Sequence, residues 1–447
     1  MGFNSMQERK PFERASSINH SQIMQNEFVI NFLENCDLPK YDLENINYPK
    51  GNPINKNEAK KIRNIITIDG GYSETFINKG FPSTSLAFFN FGALLINAED
   101  LESLDKANII NPEDLKRLKE INKISLAIPA KNVLIKGSSD FSEGVRKIIY
   151  EFFTSSHSSA VSNETLMDVL EWLMLEKWEG TKNIIPIDFC PNKDCNSKKT
   201  IFNEGEDKVI CSECGKEIYL TDYFRFHELI NEPNGASGIF GYLSSLIEQV
   251  LMVQIIKYIY DNNKTYLSNV LFIKDGPLAF FGQTFRLHIP MRNLINHLFG
   301  VQGSNENLIN MVGLEKSGPF VEHAFFIKEK LERNHYYILT DEYIRKYIVP
   351  QNTSTVYGDN TYYGWKIIYK TSASDVLVLS IPVNVYNGNP SKDNFANIDR
   401  VLGVLDKMRC NMYENSIVPL ALINKLVSIS EYPSSNILEK FIKHNIS

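Results

Sequence analysis

A mixed α/β fold is what this sequence predicts, and three observations carry the reading. Two apolar runs rich in β-branched residues, Ile65-Ile66-Thr67-Ile68 and Val270-Leu271-Phe272-Ile273-Lys274, each stop at Asp-Gly, as buried strands stop at turns. Between them, Tyr242 to Ile259 is too apolar for a solvent-facing helix yet carries one isolated carboxylate, Glu248. Four of the six cysteines form two close pairs, Cys190 with Cys195 and Cys211 with Cys214, which suits a metal clip better than a secreted disulfide framework.

Along the chain, residues 1–60 are polar and Asn-rich, broken by Pro39, Pro49 and Pro53, and predict an accessory segment with a helix around Glu27 to Cys36. A strand ending at Asp69, a turn through Pro82-Ser83-Thr84 and a second strand over Leu86 to Ile96 predict an antiparallel pair. Residues 99–122 are charged with helical spacing, and 141–153 and 164–178 read as amphipathic helices, the second capped by Ser162 or Asn163. The first part of the core is thus 61–187, the cysteine module 188–222 and the second part of the core 223–447. In that second part the Glu248 helix leads into the Asp275 strand. A helix over 290–299, a strand near 311–314, a hairpin of 362–369 with 376–379, and helices over 398–408 and 420–428 follow.

A chain of 447 residues, 43% hydrophobic and 22% charged, fits a globular core rather than disorder. A formal charge of −6 argues against a general polyanion-coating protein, although a local basic groove is compatible with it. Glu248, Gln249, Gln254 and Lys257 interrupt the longest apolar stretch short of the roughly 18–20 residues of a membrane span, and the N-terminus lacks a signal-peptide core. The expectation is a cytoplasmic protein with no membrane partner.

Cys190, Cys195, Cys211 and Cys214 predict two tight turns that converge as a tetrahedral zinc site. Four thiolates close the coordination sphere, so this zinc holds structure and does no chemistry. Lys198 and Lys199 lie in the intervening hairpin, where a nucleic-acid contact and a plain solvated edge are both open. Asp69, Glu248 and Asp275 are hard oxygen donors of the kind that Mg²⁺ or Mn²⁺ prefers, and such a site suits phosphodiester hydrolysis with ions about 4 Å apart. The residues alone leave a plainer reading open, in which Asp-Gly is a turn and Glu248 pairs with a basic side chain. Lys316, before Ser317-Gly318, can meet a phosphate or pair with Glu315 or Glu322, and Arg286 and Arg292 are similarly ambiguous. His227, His288, His297 and His323 read as structural histidines. Tyr357, Tyr362, Tyr363 and Trp365 are candidates for stacking on bases or for strand packing.

Three segments, Ile66-Thr67-Ile68-Asp69-Gly70-Gly71-Tyr72-Ser73, Phe272 through Gly282, and Val312-Gly313-Leu314-Glu315-Lys316-Ser317-Gly318, together resemble the NurA nuclease family. The resemblance implies an RNase H-like mixed sheet flanked by helices and a two-metal carboxylate site. It also implies a dimer acting on DNA ends with a hexameric HerA-like ATPase, in repair or antiphage defence. Carried over by position, Asp69 and Asp275 are the strand-end ligands of Mn²⁺ or Mg²⁺ and Glu248 is the helix carboxylate. Glu74, Glu228 and Glu232 are nearby candidates for that third place. Two departures stand out. Family members often end with a Tyr and a His around a Pro-Leu helix start, whereas Ile417 to Leu426 here offers Asn424 or Lys425 in the histidine's place. An amide can bond a phosphate or a metal-bound water but cannot do acid–base work. The zinc ribbon is the second departure. Rival readings are a weak or inactive NurA-like adaptor that docks on the ATPase and DNA, and a zinc-ribbon nucleic-acid binder without hydrolysis.

Overall fold

The computed structural model describes residues 22–36, 46–99, 119–157, 163–231, 233–300, 307–350, 354–408, 416–429 and 434–445. Two units divide the chain, 1–48 and 49–447. In the first, the helix Glu27–Glu34 starts where the Asn26 side chain accepts from the backbone N–H groups of Phe28 and Val29, and none of its residues is buried.

The second unit is built on a nine-stranded sheet. Its strands are β1 Gly51–Pro53, β2 Asn64–Asn78, β3 Thr84–Asn97 and β4 Lys119–Lys131, and, later in the chain, β9 Val270–Asp275, β10 Met311–Glu315, β11 His335–Ile338, β12 Gly364–Lys370 and β13 Val376–Pro382. Between these groups lie the short strands β5 Ile184–Ile187, β6 Thr200–Asn203, β7 Lys208–Ile210 and β8 Glu217–Tyr219. The order across the large sheet is β1-β11-β12-β13-β10-β9-β2-β3-β4. Only β2 with β9 and β9 with β10 pair parallel, so the sheet is mixed, with its parallel strands in the centre. That centre is where open α/β sheets place ligands, outside the carboxyl ends of the strands.

The helix Phe240–Asn263 packs on β2 and is apolar nearly all round because it runs through the core. The helical stretch Ser237–Asn269 is long and apolar enough to cross a membrane, but 78% of its most apolar window is buried inside this protein.

Several sequence expectations change. β2 does not end at Asp69 but runs on to Asn78, paired with β3 throughout; what ends there is its pairing with β9, whose last partner is Ile68 opposite Lys274. Gly70 and Gly71 are extended strand residues, and the apolar run stops because burial beyond Asp69 becomes intermittent. The helix expected over 99–122 falls mainly outside the described residues, and 119–122 begin β4. Thr165, not Asn163, caps the helix Leu166–Met174 in a capping box with Asp168; Ser162 lies outside the described residues. Residues 51–61 belong to the large unit, since β1 pairs with β11 and a Cβ at Gly403 would lie 3.0 Å from that of Ala59. The remaining helices, Phe141–Thr154, His288–Phe299, Ile398–Leu405 and Val418–Val427, and the β12–β13 hairpin lie where the periodicity places them.

The cysteine module consists of the hairpins β5–β6 and β7–β8, so it starts at Ile184 rather than at 188, because β5 pairs with β6. Its Ile187, Phe202, Ile218 and Leu220 are fully buried in the same cluster as Val145, Phe153 and Leu170 from the neighbouring helices. Arg146 of helix Phe141–Thr154 grips Asp222 through two buried bonds of 2.7 and 2.8 Å and reaches the Glu217 carbonyl at 3.1 Å. The ribbon therefore shares one core with the helical layer.

Candidate functional site: a carboxylate–lysine centre and a cysteine quartet

The carboxylate centre lies where β2 and β9 part. Successive strand residues face opposite sides, so Asp69 and Gly70 look at different layers. On the Asp69 side, glycines let the helix Val418–Val427 come close. Gly92 is in register with Asp69, and a Cβ there would lie 2.9 Å from Val427 Cγ1; one at Gly71 would lie 3.0 Å from the Val427 carbonyl oxygen. On the other side a Cβ at Gly70 would lie 3.0 Å from Glu248 Oε1, so its missing side chain leaves room for the carboxylate of helix Phe240–Asn263. Ser244, one turn earlier on that helix, donates to Glu248 Oε1 at 3.1 Å.

Asp275 ends β9, and Gly276 with φ of 82° turns the chain while its N–H bonds the Leu314 carbonyl at 2.8 Å. On the adjacent strand end Lys316 places Nζ 2.5 Å from Asp275 Oδ2. The pairings with Glu315 or Glu322 considered from sequence are not the ones formed, because Glu315 takes the buried Lys366 instead. Asn424 completes the cluster. With its amide oriented to satisfy both ends, Nδ2 donates to Asp69 Oδ2 and Oδ1 accepts from Lys316 at 2.9 Å. Lys425, the other candidate for that place, is exposed.

Burial dominates the electrostatics. It pushes Asp69 up to about 7, helped by the neighbouring Asp275 charge and opposed by the Gly70 N–H, Lys316 and Lys274. Glu248 rises to about 8, again chiefly through burial, with Lys274 the strongest opposing group and Asp69 and Asp275 adding to the rise. Lys274, pulled down by burial, bonds the Asp275 carbonyl oxygen at 2.8 Å. Sequence reasoning passed over Lys274, although a lone charge inside an apolar strand is the same signal that singled out Glu248.

Two carboxyls that burial holds above their ordinary range, and Asp275 paired with Lys316, are hard oxygen donors of the kind that Mg²⁺ or Mn²⁺ prefers. The other acidic candidates lie elsewhere: Glu74 accepts from Ser85 at 2.5 Å, Glu228 pairs with Arg225, and Glu232 is outside the described residues.

The remaining candidates are structural. Tyr362, Tyr363 and Trp365 are buried and Tyr357 is half-buried against Tyr362, so base stacking on this cluster is ruled out by packing. Arg292 bonds the Tyr362 carbonyl at 2.7 Å, and Arg286 lies 3.8 Å from Asp188. His288, His297 and His323 bond Phe285, Tyr260 and Tyr343 respectively, whereas the buried Nδ1 of His227 has no hydrogen-bond partner among the described residues.

Among the described residues, the cysteines alone bring three or more His, Cys, Asp or Glu ligand atoms within 4.8 Å of one another. The three carboxylates are spread more widely. In the quartet, Cys190 Sγ lies 3.8 Å from Cys214 Sγ and Cys195 Sγ 3.6 Å from Cys211 Sγ. Backbone N–H groups of Cys214 and Glu213 pull the Cys211 thiol down to about 6, favouring the thiolate that binds metal. Gly215, with φ of 69°, closes the second knuckle. Four converging thiols fit Zn²⁺.

These features define a mixed-sheet α/β protein with a cluster of acidic, basic and amide side chains at its parallel strand ends and a quartet of converging cysteines. The crystal structure of the NurA nuclease from Sulfolobus solfataricus aligns with 97% of this chain and 98% of its own at 10% identity and a TM-score of 0.37. A crystal structure of NurA with manganese aligns over 96% of each chain at 11% identity and a TM-score of 0.27. One of NurA bound to dAMP and manganese covers 96% of this chain and 93% of its own, at 14% identity and a TM-score of 0.23. No family model and no curated protein matches the sequence.

Proposed function

We propose that this chain is a divalent-cation-dependent deoxyribonuclease that processes DNA ends in the cytoplasm, as a dimer working beside a HerA-like hexameric ATPase, in repair or antiphage defence. The observation that carries the reading is the gathering of Asp69, Asp275, Lys316 and Asn424, with Glu248 close by, on side chains from β2, β9, two helices and the turn after β10. Bound there, Mg²⁺ or Mn²⁺ would supply an activated water and stabilise the leaving oxygen. Asp69, Glu248 and Asp275 would hold the cation, Lys316 would face a phosphate oxygen, and Asn424 would fix Lys316 and Asp69 relative to each other. Zn²⁺ in the cysteine quartet would keep the ribbon folded.

With a formal charge of −6 the chain has weak intrinsic means of holding DNA, and a ring translocase that threads DNA to the site would raise its local concentration. The test measures digestion of linear duplex DNA with Mg²⁺ or Mn²⁺, with and without the ATPase and ATP at matched salt. Weak cutting alone and stronger cutting in the complex is the expected result. Full activity alone would reject partner dependence. Asn424 in place of a proton-transferring group favours the second reading, a docking adaptor, which no cutting even in the complex would support.

A further inference from the structure

The ribbon and the helix Phe141–Thr154 enclose a cavity of about 170 Å³. Pockets for drug-sized ligands run to about 300–1,000 Å³, so this one suits a smaller molecule. Residues 191–195 with Cys214 and Lys216 line it from the ribbon, and Asp140, Ser142, Glu143 and Arg146 line it from the start of the helix, together with His227.

Bonding capacity of both signs is left over there. Arg146 is only 5% exposed, and Asp222 and the Glu217 carbonyl engage its Nε and Nη2, which leaves Nη1 without a partner among the described residues. An arginine stays charged, so the two N–H groups of Nη1 call for an anionic oxygen. His227 makes no hydrogen bond among the described residues, and its Nδ1 is buried. On the acidic side, Ser139 donates to Glu143 Oε2 and the Glu143 N–H to Asp140 Oδ1, which leaves Glu143 Oε1 and Asp140 Oδ2 open. Glu143 and Arg146 stand three residues apart, where helix side chains are neighbours, yet they do not pair, because Asp222 holds the arginine and Ser139 the glutamate. A simple anion would meet the two carboxylates, and a simple cation the guanidinium. An α-amino acid carries its carboxylate and its ammonium on one carbon atom and answers both.

We propose that this cavity binds a free α-amino acid, its carboxylate on Arg146 Nη1 and His227 and its ammonium on Glu143 and Asp140. The bound molecule would tie the ribbon to the helix. The inference uses none of the residues of the carboxylate cluster and does not depend on the nuclease reading.

Calorimetry tests it. The full zinc-loaded chain is titrated with each standard amino acid in turn at millimolar concentration, and the melting temperature is followed in parallel. The expected result is saturable binding of one molecule per chain by at least one amino acid, with a raised melting temperature. The N-acetyl and carboxamide derivatives of that amino acid should each bind about tenfold more weakly or worse, since each lacks one charge. Glu143→Gln should weaken the amino acid to the same extent and leave the residual binding of the N-acetyl derivative unchanged. No binding by any amino acid would overturn the proposal, as would derivatives that bind equally well. Inorganic phosphate or acetate binding as tightly as the amino acid would make this a simple anion site and overturn it too. Should Glu143→Gln fail to fold, the derivatives compared on the unaltered chain decide.

Discussion

The two candidate metal centres of this protein are assembled in opposite ways. All four cysteines come from residues 190–214, presented by two local turns whose thiols converge on one point. The carboxylate centre draws Asp69, Glu248, Asp275, Lys316 and Asn424 from across the chain, and only the meeting of a sheet with two helices brings them together. The cysteine site is built from one kind of ligand. Its counterpart mixes acids with ammonium groups, and burial holds two of its carboxyls well above their ordinary range. A site built for holding can satisfy itself locally; one built for chemistry keeps groups of opposite sign in reach of each other and of solvent.

The contrast breaks most sharply at Asp275. Asp275→Asn and Asp69→Asn keep shape and remove charge, so cutting should fall by about three orders of magnitude or more, on the order of 4 kcal/mol of barrier, with the melting temperature nearly unchanged. Either variant cutting at the normal rate would remove the carboxylates from the chemistry. Chelation should likewise stop cutting, and Mg²⁺ or Mn²⁺, but not Zn²⁺, should restore it.

The ribbon gives the reverse pattern. Cys214→Ser should release zinc, measurable by elemental analysis, and lower the melting temperature, while manganese binding at Asp275 persists. Arg146→Met tests the attachment: it strands Asp222 in the shared core, and loss of one partner of a buried pair typically costs about 3–5 kcal/mol in chemical denaturation. Unchanged stability would mean the ribbon is not anchored there.

Acidity separates the two centres as well. Folding raises Asp69 from 3.8 to about 7 and Glu248 from 4.5 to about 8, so the folded state keeps protons that the unfolded state has shed. The stability this contributes is fully present below about pH 4 and is lost as pH rises through about 7 to 8. In chelator, the urea midpoint should therefore fall between pH 5 and pH 8.5 on this account, and the double variant Asp69→Asn, Glu248→Gln should flatten the fall. Manganese affinity should climb over the same window, since binding must displace those protons.

The smallest effect belongs to Asn424. It acts through Asp69 and Lys316, so Asn424→Ala should slow cutting by roughly 10- to 100-fold, the range of supporting shells around metal ligands. A loss as large as that of Asp275→Asn would place the amide in direct contact with the reacting groups.

Sequence alone determined what local pattern can determine. Paired cysteines are close because their spacing makes them so, and the strands at 65–68 and 270–274 and the helix around Glu248 follow from runs whose apolar residues must be buried. The isolated charges on those runs already marked Asp69, Glu248 and Asp275. Only the tertiary structure decided that β2 continues past Asp69, because glycine followed by glycine reads as a turn until β3 is seen pairing alongside. Likewise, it alone assigned Lys316 to Asp275 and Glu315 to Lys366, and selected Asn424 over Lys425, since neighbours in sequence point to different faces and long-range packing chooses which face meets the site. The aromatics Tyr357, Tyr362, Tyr363 and Trp365, before and at the start of β12, show the same limit from the other side. Their pattern suits a stacking surface or a core equally, and burial of Tyr362, Tyr363 and Trp365 settled it as core.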